Sequence, residues 1–420
     1  VQNAVILAGM GNNGGDGWVA AEALLAHGVN VKVVTPVEPD QLSGDLARQV
    51  AQRAVRAGVS TLVGPSRDEL EGLLSASDVA LDCMLGTGFH GDVRAPFDIW
   101  IDCVNSSGVR VVAVDVPSGL SAQTGHAPGA CVVADLTVTM LCLKPGLLAD
   151  DGRDVCGSIV VAPLAEQTEQ IVVEADPVAW RTDLEDYLDV MVPPTTAVDK
   201  FSRGSVLVVG GSSRFVGAPI LAARAAARAG AGYVTLAVPA YIVPQVQAHV
   251  LEIPVVGLPC DEDGTISKEA VPIVTKLAEK RSAVLAGPGM RVSGGTVAVV
   301  SALLASPAPL VLDADALNCI ARLKGYNCLL PIAAATLSTA HTLKFAPHRR
   351  ELGRLVGKEE NPPASLVDQL EDARKIVWSD GGSELVVVAK GTATGCVGVE
   401  QAILPKPGPA ALATAGSGDV

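Results

Sequence analysis

Aromatic side chains are scarce in this chain, making up 3% of its 420 residues. Positive charge is short as well: 31 Lys and Arg stand against 45 Asp and Glu, for a formal net charge of −14. That shortage argues against nucleic acid or a membrane surface as the main partner, since both call for a dense cationic face. It leaves room for an anionic nucleotide, which backbone dipoles can hold locally. The nine cysteines form an odd set with no Cys-x-x-Cys pair. Cys83, Cys142 and Cys319 lie in apolar runs. We therefore expect buried thiols in the reducing cytoplasm, with neither a disulfide framework nor a zinc site. No signal peptide is apparent; Val1-Gln-Asn-Ala-Val-Ile-Leu-Ala-Gly9 already reads as a core strand, so the N-terminus reads as clipped. The uncharged stretch Val292 to Leu312 is broken by Gly294, Gly295, Pro307 and Pro309. It reads as loop, buried helix, turn and strand, not as a membrane span.

What is abundant is small and aliphatic: 49% of residues are hydrophobic and 43 are glycine. This is the balance of a buried parallel sheet covered by Ala-rich helices. The length allows two or three domains. Strands are expected at Ala4–Ala8, Val31–Val34, Val79–Leu81, Val111–Val114, Leu136–Leu141 and Ser158–Val161. Helices are expected at Val19–His27 and around Leu46–Ala57, so the rhythm is βαβ. It breaks in the acidic stretch Glu174–Asp189 and in Val192-Pro-Pro-Thr-Thr. A second α/β unit starts at Ser205-Val-Leu-Val-Val, continues through a helix Pro219–Ala229 and a strand Tyr233–Val238, and includes strands at Ala283–Ala286, Leu310–Leu312 and Leu385–Ala389. We assign one domain to residues 1–180 and the other to 195–420, with the boundary near 175–195.

Glycine-rich strand ends mark where ligands sit in such sheets. Gly9-Met-Gly-Asn-Asn-Gly-Gly-Asp-Gly17 contains GxGxxG, but the second strand ends in Val34-Thr-Pro-Val-Glu38, which offers no well-placed acid for a ribose. A redox dinucleotide is therefore disfavoured. Asn12, Asn13, Gly14, Gly15 and Asp16 instead form a polar surface able to read hydroxyls. Asp82 precedes the Gly86-Thr87-Gly88 turn, and Asp115-Val-Pro-Ser118-Gly119 ends another strand. The amide oxygen of Asn13, the carboxylate of Asp82 and the hydroxyl of Ser118 suit a hard cation, which leaves Asp115 as an acid/base; Asp82 and Asp115 would equally serve as caps.

In the second half, Gly210-Gly-Ser-Ser feeds the Ala-rich helix that starts near Gly217-Ala218. Gly287-Pro-Gly289 ends a strand, and Asp313-Ala-Asp315-Ala-Leu-Asn318 ends another. Those acids suit magnesium or a substrate hydroxyl, and Asp315 suits a helix cap equally well. His348 follows a strand-like stretch, and a solvated or satisfied histidine is the commoner explanation for a lone one. Lys390-Gly391-Thr392-Ala393-Thr394 is a polyphosphate-type turn. Gly416-Ser-Gly418-Asp419 is a loop that can place phosphate at a helix N-terminus, with Asp419 beside it as a base.

The motifs Gly11-Asn-Asn-Gly-Gly-Asp-Gly17, Asp82 with Gly86-Thr-Gly88, Asp115-Val-Pro-Ser-Gly119 and Lys144-Pro-Gly-Leu147 resemble the NAD(P)H-hydrate epimerase domain over residues 1–165. Residues 200–420 resemble the ribokinase-like NAD(P)H-hydrate dehydratase domain. That match is carried by Gly210-Gly-Ser, Gly217-Ala218, Gly287-Pro-Gly289, Asp313-Ala-Asp-Ala-Leu-Asn318, Pro347-His348 with Glu351, Lys390-Gly391 and Gly416-Ser-Gly-Asp419. Ala346, Arg349-Arg350 and Ala415 stand where that pattern carries Thr, Pro-Gly and Gly. In this order the halves resemble the bifunctional nicotinamide nucleotide repair enzymes of bacteria.

The resemblance implies an α/β fold: a Rossmann-like three-layer α/β/α domain, then a ribokinase-like α/β domain whose C-terminal helices are missing from this sequence. It implies that hydrated NADH or NADPH is contacted by Asn12–Asp16, Gly86–Gly88 and Asp115 in the first half, and by Ala218, Gly289, His348 and Asp419 in the second. It implies potassium at Asn13, Asp82 and Ser118, ADP at Lys390–Thr394 and Gly418, and magnesium with the nucleotide. Asp115 and Asp419 are the implied catalytic groups. A cytoplasmic homo-oligomer is expected, with no nucleic-acid or membrane partner. The alternatives are a ribokinase-like kinase of a small alcohol and a non-catalytic scaffold.

Overall fold

Short runs of Val, Ile, Leu and Ala become strands, and the Ala-rich segments between them become the helices that cover both faces. The computed structural model describes the chain apart from residues 192–198, 201, 324–341, 380–384, 407, 409–413, 415–416 and 420 and the side chains of Asp189, Ser379 and Asp419. It divides into two units, Val1–Pro177 and Val178–Val420.

The first unit holds β1 (Asn3–Ala8), β2 (Asn30–Thr35), β3 (Ser60–Val63), β4 (Val79–Cys83), β5 (Arg110–Val114), β6 (Leu136–Met140) and β7 (Ser158–Ala162). They form one parallel sheet in the order β3-β2-β1-β4-β5-β6-β7. The unbroken apolar run of β1 is buried on both sides, as a central parallel strand requires. Val5 and Leu7 pack with Leu74, Trp100 and Ile101 on one face. Ala4, Ile6 and Ala8 pack with Trp18, Ala21, Ala47 and Ala51 on the other. The unit is thus a three-layer α/β/α sandwich, and the strand order reverses at β1. In such sheets the crevice beyond the carboxyl ends of the strands flanking that reversal is where ligands sit.

One local expectation is corrected. The helix after β1 runs Asn12–Ala26 and so begins well before Val19. Asn12 to Gly17, read as loop, lie within its first turns. Four glycines between Gly11 and Gly17 lower helix propensity, but tertiary contact overrides it.

The second unit carries a ten-stranded sheet built from β8 (Trp180–Thr182), β9 (Ser205–Val209), β10 (Tyr233–Pro239), β11 (Val255–Leu258), β12 (Ala283–Ala286), β13 (Leu310–Leu312), β14 (Leu343–Phe345), β15 (Leu385–Ala389), β16 (Gly395–Val397) and β17 (Ala402–Pro405). The order is β11-β10-β9-β12-β13-β14-β15-β16-β17-β8. From β11 to β15 the neighbours are parallel, whereas β16 and β17 form an antiparallel extension. Trp180–Thr182 pair with Ile403–Pro405, so the stretch read as the end of the first domain and a linker contributes an edge strand to the second sheet. Asp183 then caps the helix Leu184–Val190 by accepting from Glu185 N at 2.9 Å. Ser417–Asp419 form a 3₁₀ turn that packs beside the helix Gly217–Arg228.

The described cysteines are free thiols. Cys83 and Cys319 are buried as expected, but Cys142 is exposed, because Leu141 turns out of β6 with φ 64°. Among the described residues no helix is long and apolar enough to cross a membrane.

Candidate functional site

The crevice of the first unit is set by close backbone approach. A Cβ at Gly9 would lie 1.8 Å from Met84 O, and one at Gly14 would lie 1.9 Å from Gly9 O. Glycine at these two positions lets the start of the helix Asn12–Ala26 press onto the strand ends. Asn13 is thereby brought beside β4, where its Nδ2 donates to Leu85 O at 3.0 Å. Gly86 lies against the Asn13 side chain, whereas Asn12, Thr87 and Gly88 are exposed at the rim.

Asp82 and Ser118 form a buried knot behind Asn13; both are fully buried. Asp82 Oδ1 accepts from Ser118 Oγ at 2.6 Å and from Met84 N at 3.2 Å, and Oδ2 accepts from Ser118 N at 2.7 Å. Ser118 Oγ also accepts from Leu85 N at 2.8 Å. Burial pushes the Asp82 carboxyl up to about 6 despite these bonds. No cationic side chain among the described residues pairs with it. A buried carboxylate held by two backbone N–H groups and one hydroxyl, with no protein counter-charge among the described residues, is compatible with a bound monovalent cation.

Asp115 stands just past β5 in the left-handed region, φ 69°, a conformation that aspartate tolerates better than most residues. Its Oδ1 accepts from Lys144 Nζ at 2.5 Å, Met140 N at 3.1 Å and Thr139 Oγ1 at 3.3 Å. Lys144 is itself held by Thr139 Oγ1 at 2.9 Å and Met140 O at 2.7 Å. Among the described residues no donor reaches Oδ2. Asp16 sits half-buried in the same crevice. Burial, and secondly the charge of Asp115, raise its carboxyl above the ordinary range. The crevice therefore combines one carboxylate anchored through a single oxygen with a second whose titration is shifted upward by burial and by the first. Lys144 is the functional residue that reading the motifs one by one missed; its pairing is visible only once β5 and β6 are neighbours.

In the second unit, Gly210 and Gly211 turn out of β9, and Gly211 N donates to Pro288 O at 2.8 Å. Ser212 Oγ donates to Gly289 O at 2.8 Å. Gly289 has φ 68°, and a Cβ there would meet Phe215 Cβ at 2.7 Å and Ala218 Cβ at 3.5 Å. Ala218 and Gly289 therefore line one spot at the start of the helix Gly217–Arg228. Beside it, Lys390 Nζ pairs with Asp313 Oδ1 at 2.7 Å. A Cβ at Gly418 would lie 3.7 Å from that same Nζ. Lys390 N donates to Pro347 O at 2.8 Å, and His348 pairs with Lys390 as an isolated parallel bridge. His348 caps the helix Arg349–Leu355: its Nδ1 accepts from Glu351 N at 3.2 Å, and its own N–H donates to Glu351 Oε2 at 3.1 Å. Ala218, Gly289, His348, Lys390 and Gly418 thus gather at the carboxyl ends of the second sheet's strands. Gly391 and Thr392 are exposed in the turn, Ala393 is buried and Thr394 half-buried. The side chain of Asp419 and all of Gly416 lie outside the described residues. Asp315 opens the helix Asp315–Leu323 and accepts from Arg291 N at 2.9 Å and Asn318 Nδ2 at 3.1 Å. With Asp313 paired to Lys390, the two aspartates form no metal-binding cluster among the described residues.

Comparison with known proteins bears on both units. Residues 1–146 match the family model described as YjeF-related protein N-terminus, and residues 206–420 match that of NAD(P)H-hydrate dehydratase. A bifunctional NAD(P)H-hydrate repair enzyme of Salinibacter ruber is 34% identical over 99% of this chain and 77% of its own length. Its counterpart in Thermofilum pendens is 33% identical over 100% of this chain and 77% of its own length. The one in Leishmania braziliensis is 33% identical over 99% and 74%. Among solved structures, an ADP/ATP-dependent NAD(P)H-hydrate dehydratase from Bacillus subtilis, co-crystallised with ATP and Mg²⁺, overlays 57% of this chain and 77% of its own at 20% identity, with a TM-score of 0.43.

Proposed function

The chain belongs to the bifunctional NAD(P)H-hydrate repair enzymes, and from that premise we propose how its residues divide the work. It is an enzyme of nicotinamide nucleotide repair: one half epimerises the R and S forms of NAD(P)H hydrate, and the other dehydrates the S form at the expense of ADP. The observation that carries the residue assignment is Asp115, fixed at a strand end through Oδ1.

In the first unit, Asp115 moves a proton to and from the hydroxyl at C6 through its unengaged Oδ2. Lys144, Thr139 and Met140 N hold the other oxygen, so the carboxylate is oriented before substrate arrives. Asn12 to Asp16 and Gly86 to Gly88 read the nucleotide at the helix start. Asp82, Ser118 and the amide oxygen of Asn13 would hold potassium, which would supply a fixed positive charge near the substrate.

In the second unit, Ala218, Gly289 and His348 line the hydrated ring's site. Lys390 to Thr394 and Gly418 take the diphosphate of ADP, with backbone N–H groups of the turn beyond Lys390, whose own N–H is held by Pro347 O, available to the anion. Asp419 takes the proton from the substrate hydroxyl as that oxygen attacks the terminal phosphorus of ADP and AMP leaves; loss of phosphate from C6 together with a proton from C5 then restores the ring double bond. Magnesium would ride on the nucleotide's phosphates, since Asp313 is already committed to Lys390. We place the enzyme in the cytoplasm as a homo-oligomer, a state that light scattering on the purified chain would read.

The test uses a mixture of both C6 epimers of NADH hydrate and follows the return of NADH absorbance with and without ADP. Wild type should recover nearly all the material, and only when ADP is present. Asp115→Asn should stop recovery near the share of the S epimer. Equal loss of both activities in that variant would refute the assignment of separate sites.

A further inference from the structure

Arg349 opens the helix Arg349–Leu355, directly after His348. A cation at a helix N-terminus works against the dipole, so neither propensity nor capping accounts for it. Its guanidinium is turned to Gln369 on the helix Leu366–Ser379. With the amide oxygen facing the guanidinium, Gln369 accepts from Arg349 Nε at 2.8 Å and Nη2 at 3.2 Å. Gln369 is 1% exposed, so this pair of bonds fixes a buried amide. The same amide lies under the Lys390–Thr394 turn: a Cβ at Gly391 would lie 2.9 Å and 3.4 Å from its two polar atoms. Arg349 thus touches Gln369, and Gln369 touches Gly391. The segment before Arg349 joins the other side of the turn, through Pro347 O and the His348 bridge to Lys390.

We propose that Arg349 is a positioning residue for the nucleotide: by pinning Gln369 beneath Gly391, it fixes the backbone that receives the diphosphate. The inference rests on reading Lys390–Thr394 as the nucleotide turn. Backbone N–H groups bind an anion only where they converge, so a floor free to rotate would splay them. The planar fork of arginine suits this pin, because two donors meet one acceptor.

The test is calorimetric titration of the full chain with MgADP, with melting curves read alongside. Arg349→Ala should weaken binding about tenfold. Arg349→Lys should recover only part of that, since it keeps the charge and loses the fork. Arg349→Ala combined with Gln369→Ala should bind no more weakly than Gln369→Ala alone, because both act through one path. A purely structural arginine would lower the melting temperature and leave affinity and the double-variant comparison untouched, which overturns the proposal. Should Arg349→Ala fail to fold, Arg349→Lys decides alone, with wild-type affinity counting against the pin. If Lys390→Ala weakens MgADP while Arg349→Ala binds like wild type, the nucleotide turn stands and the role of Arg349 falls. If wild type does not bind MgADP, or Lys390→Ala binds it equally well, the reading of the turn falls and the inference with it.

Discussion

Lys144 and Asp115 meet with side chains only 17% and 15% exposed. An ion pair so placed loses more when one partner is removed than it gained in forming, because the remaining charge stays desolvated. Lys144→Met keeps most of the stem and strands the carboxylate. We expect epimerisation to fall at least about tenfold and the unit to lose about 1–3 kcal/mol of stability. Dehydration of the pure S epimer should be unchanged, so the two rates measured on one preparation check the prediction. The partners are 29 residues apart in the chain. The sequence motifs name both, but only the adjacency of β5 and β6 shows that they touch.

Glu351 poses a second question at this scale. Burial, the largest influence, raises its carboxyl above 4.5, while the His348 backbone N–H and the His348 charge pull it back. The folded state therefore holds a proton that the unfolded chain releases as pH climbs past 4.5. Below that point both states are protonated and nothing is lost; above it, stability drains until the folded group ionises too. Glu351→Gln keeps the cap to His348 N and removes the titration. Melting curves should coincide near pH 4 and separate as pH rises, with wild type the less stable of the two. The opposite separation would mean that His348 and Lys390 outweigh burial.

Among the elements, the helix Asn12–Ala26 shows most clearly what sequence reading reaches and where it stops. Strands at Ala283–Ala286, Leu310–Leu312 and Leu385–Ala389 lie where alternating apolar runs put them, because buried parallel strands leave an unmistakable aliphatic run. The start of the helix after β1 was not legible, since a glycine-rich segment reads locally as loop. Those glycines are spacers for helix-to-strand contact. β8 was missed for a related reason: a three-residue edge strand in an acidic stretch has too little pattern to register. The spacer role can be measured. A Cβ at Gly14 would lie 1.9 Å from Gly9 O, backbone that cannot swing away, whereas one at Gly11 meets nothing within 4 Å. Gly14→Ala should cost about 3 kcal/mol and abolish epimerisation, and Gly11→Ala should cost well under that. Equal costs would show that the first turn adapts, and that the glycines serve something other than close approach.

For the whole molecule, the central fact is that two units each carry a sheet of their own, and the two candidate sites lie at the strand ends of those sheets. The order of motifs along the chain made this division legible; the pairing of Trp180–Thr182 with Ile403–Pro405 was not, because so short a strand leaves little pattern in the sequence. Each unit has its own buried cluster, around Val5, Leu7 and Trp100 in the first and around Val208, Leu236 and Ile242 in the second. The shared species is a small, soluble hydrated nucleotide, so nothing requires both reactions to occur on one chain. Asp115→Asn alone should recover only the S share of a mixed sample, and Lys390→Ala alone should recover about tenfold more slowly than wild type or not at all. Mixed in equal amounts with ADP, the two variant proteins should restore full recovery at roughly half the wild-type rate, since each tube then holds half the sites of each kind. If the mixture stalls at the S share, the epimer made on one chain does not reach the site on another. The fusion would then serve transfer between its own two sites.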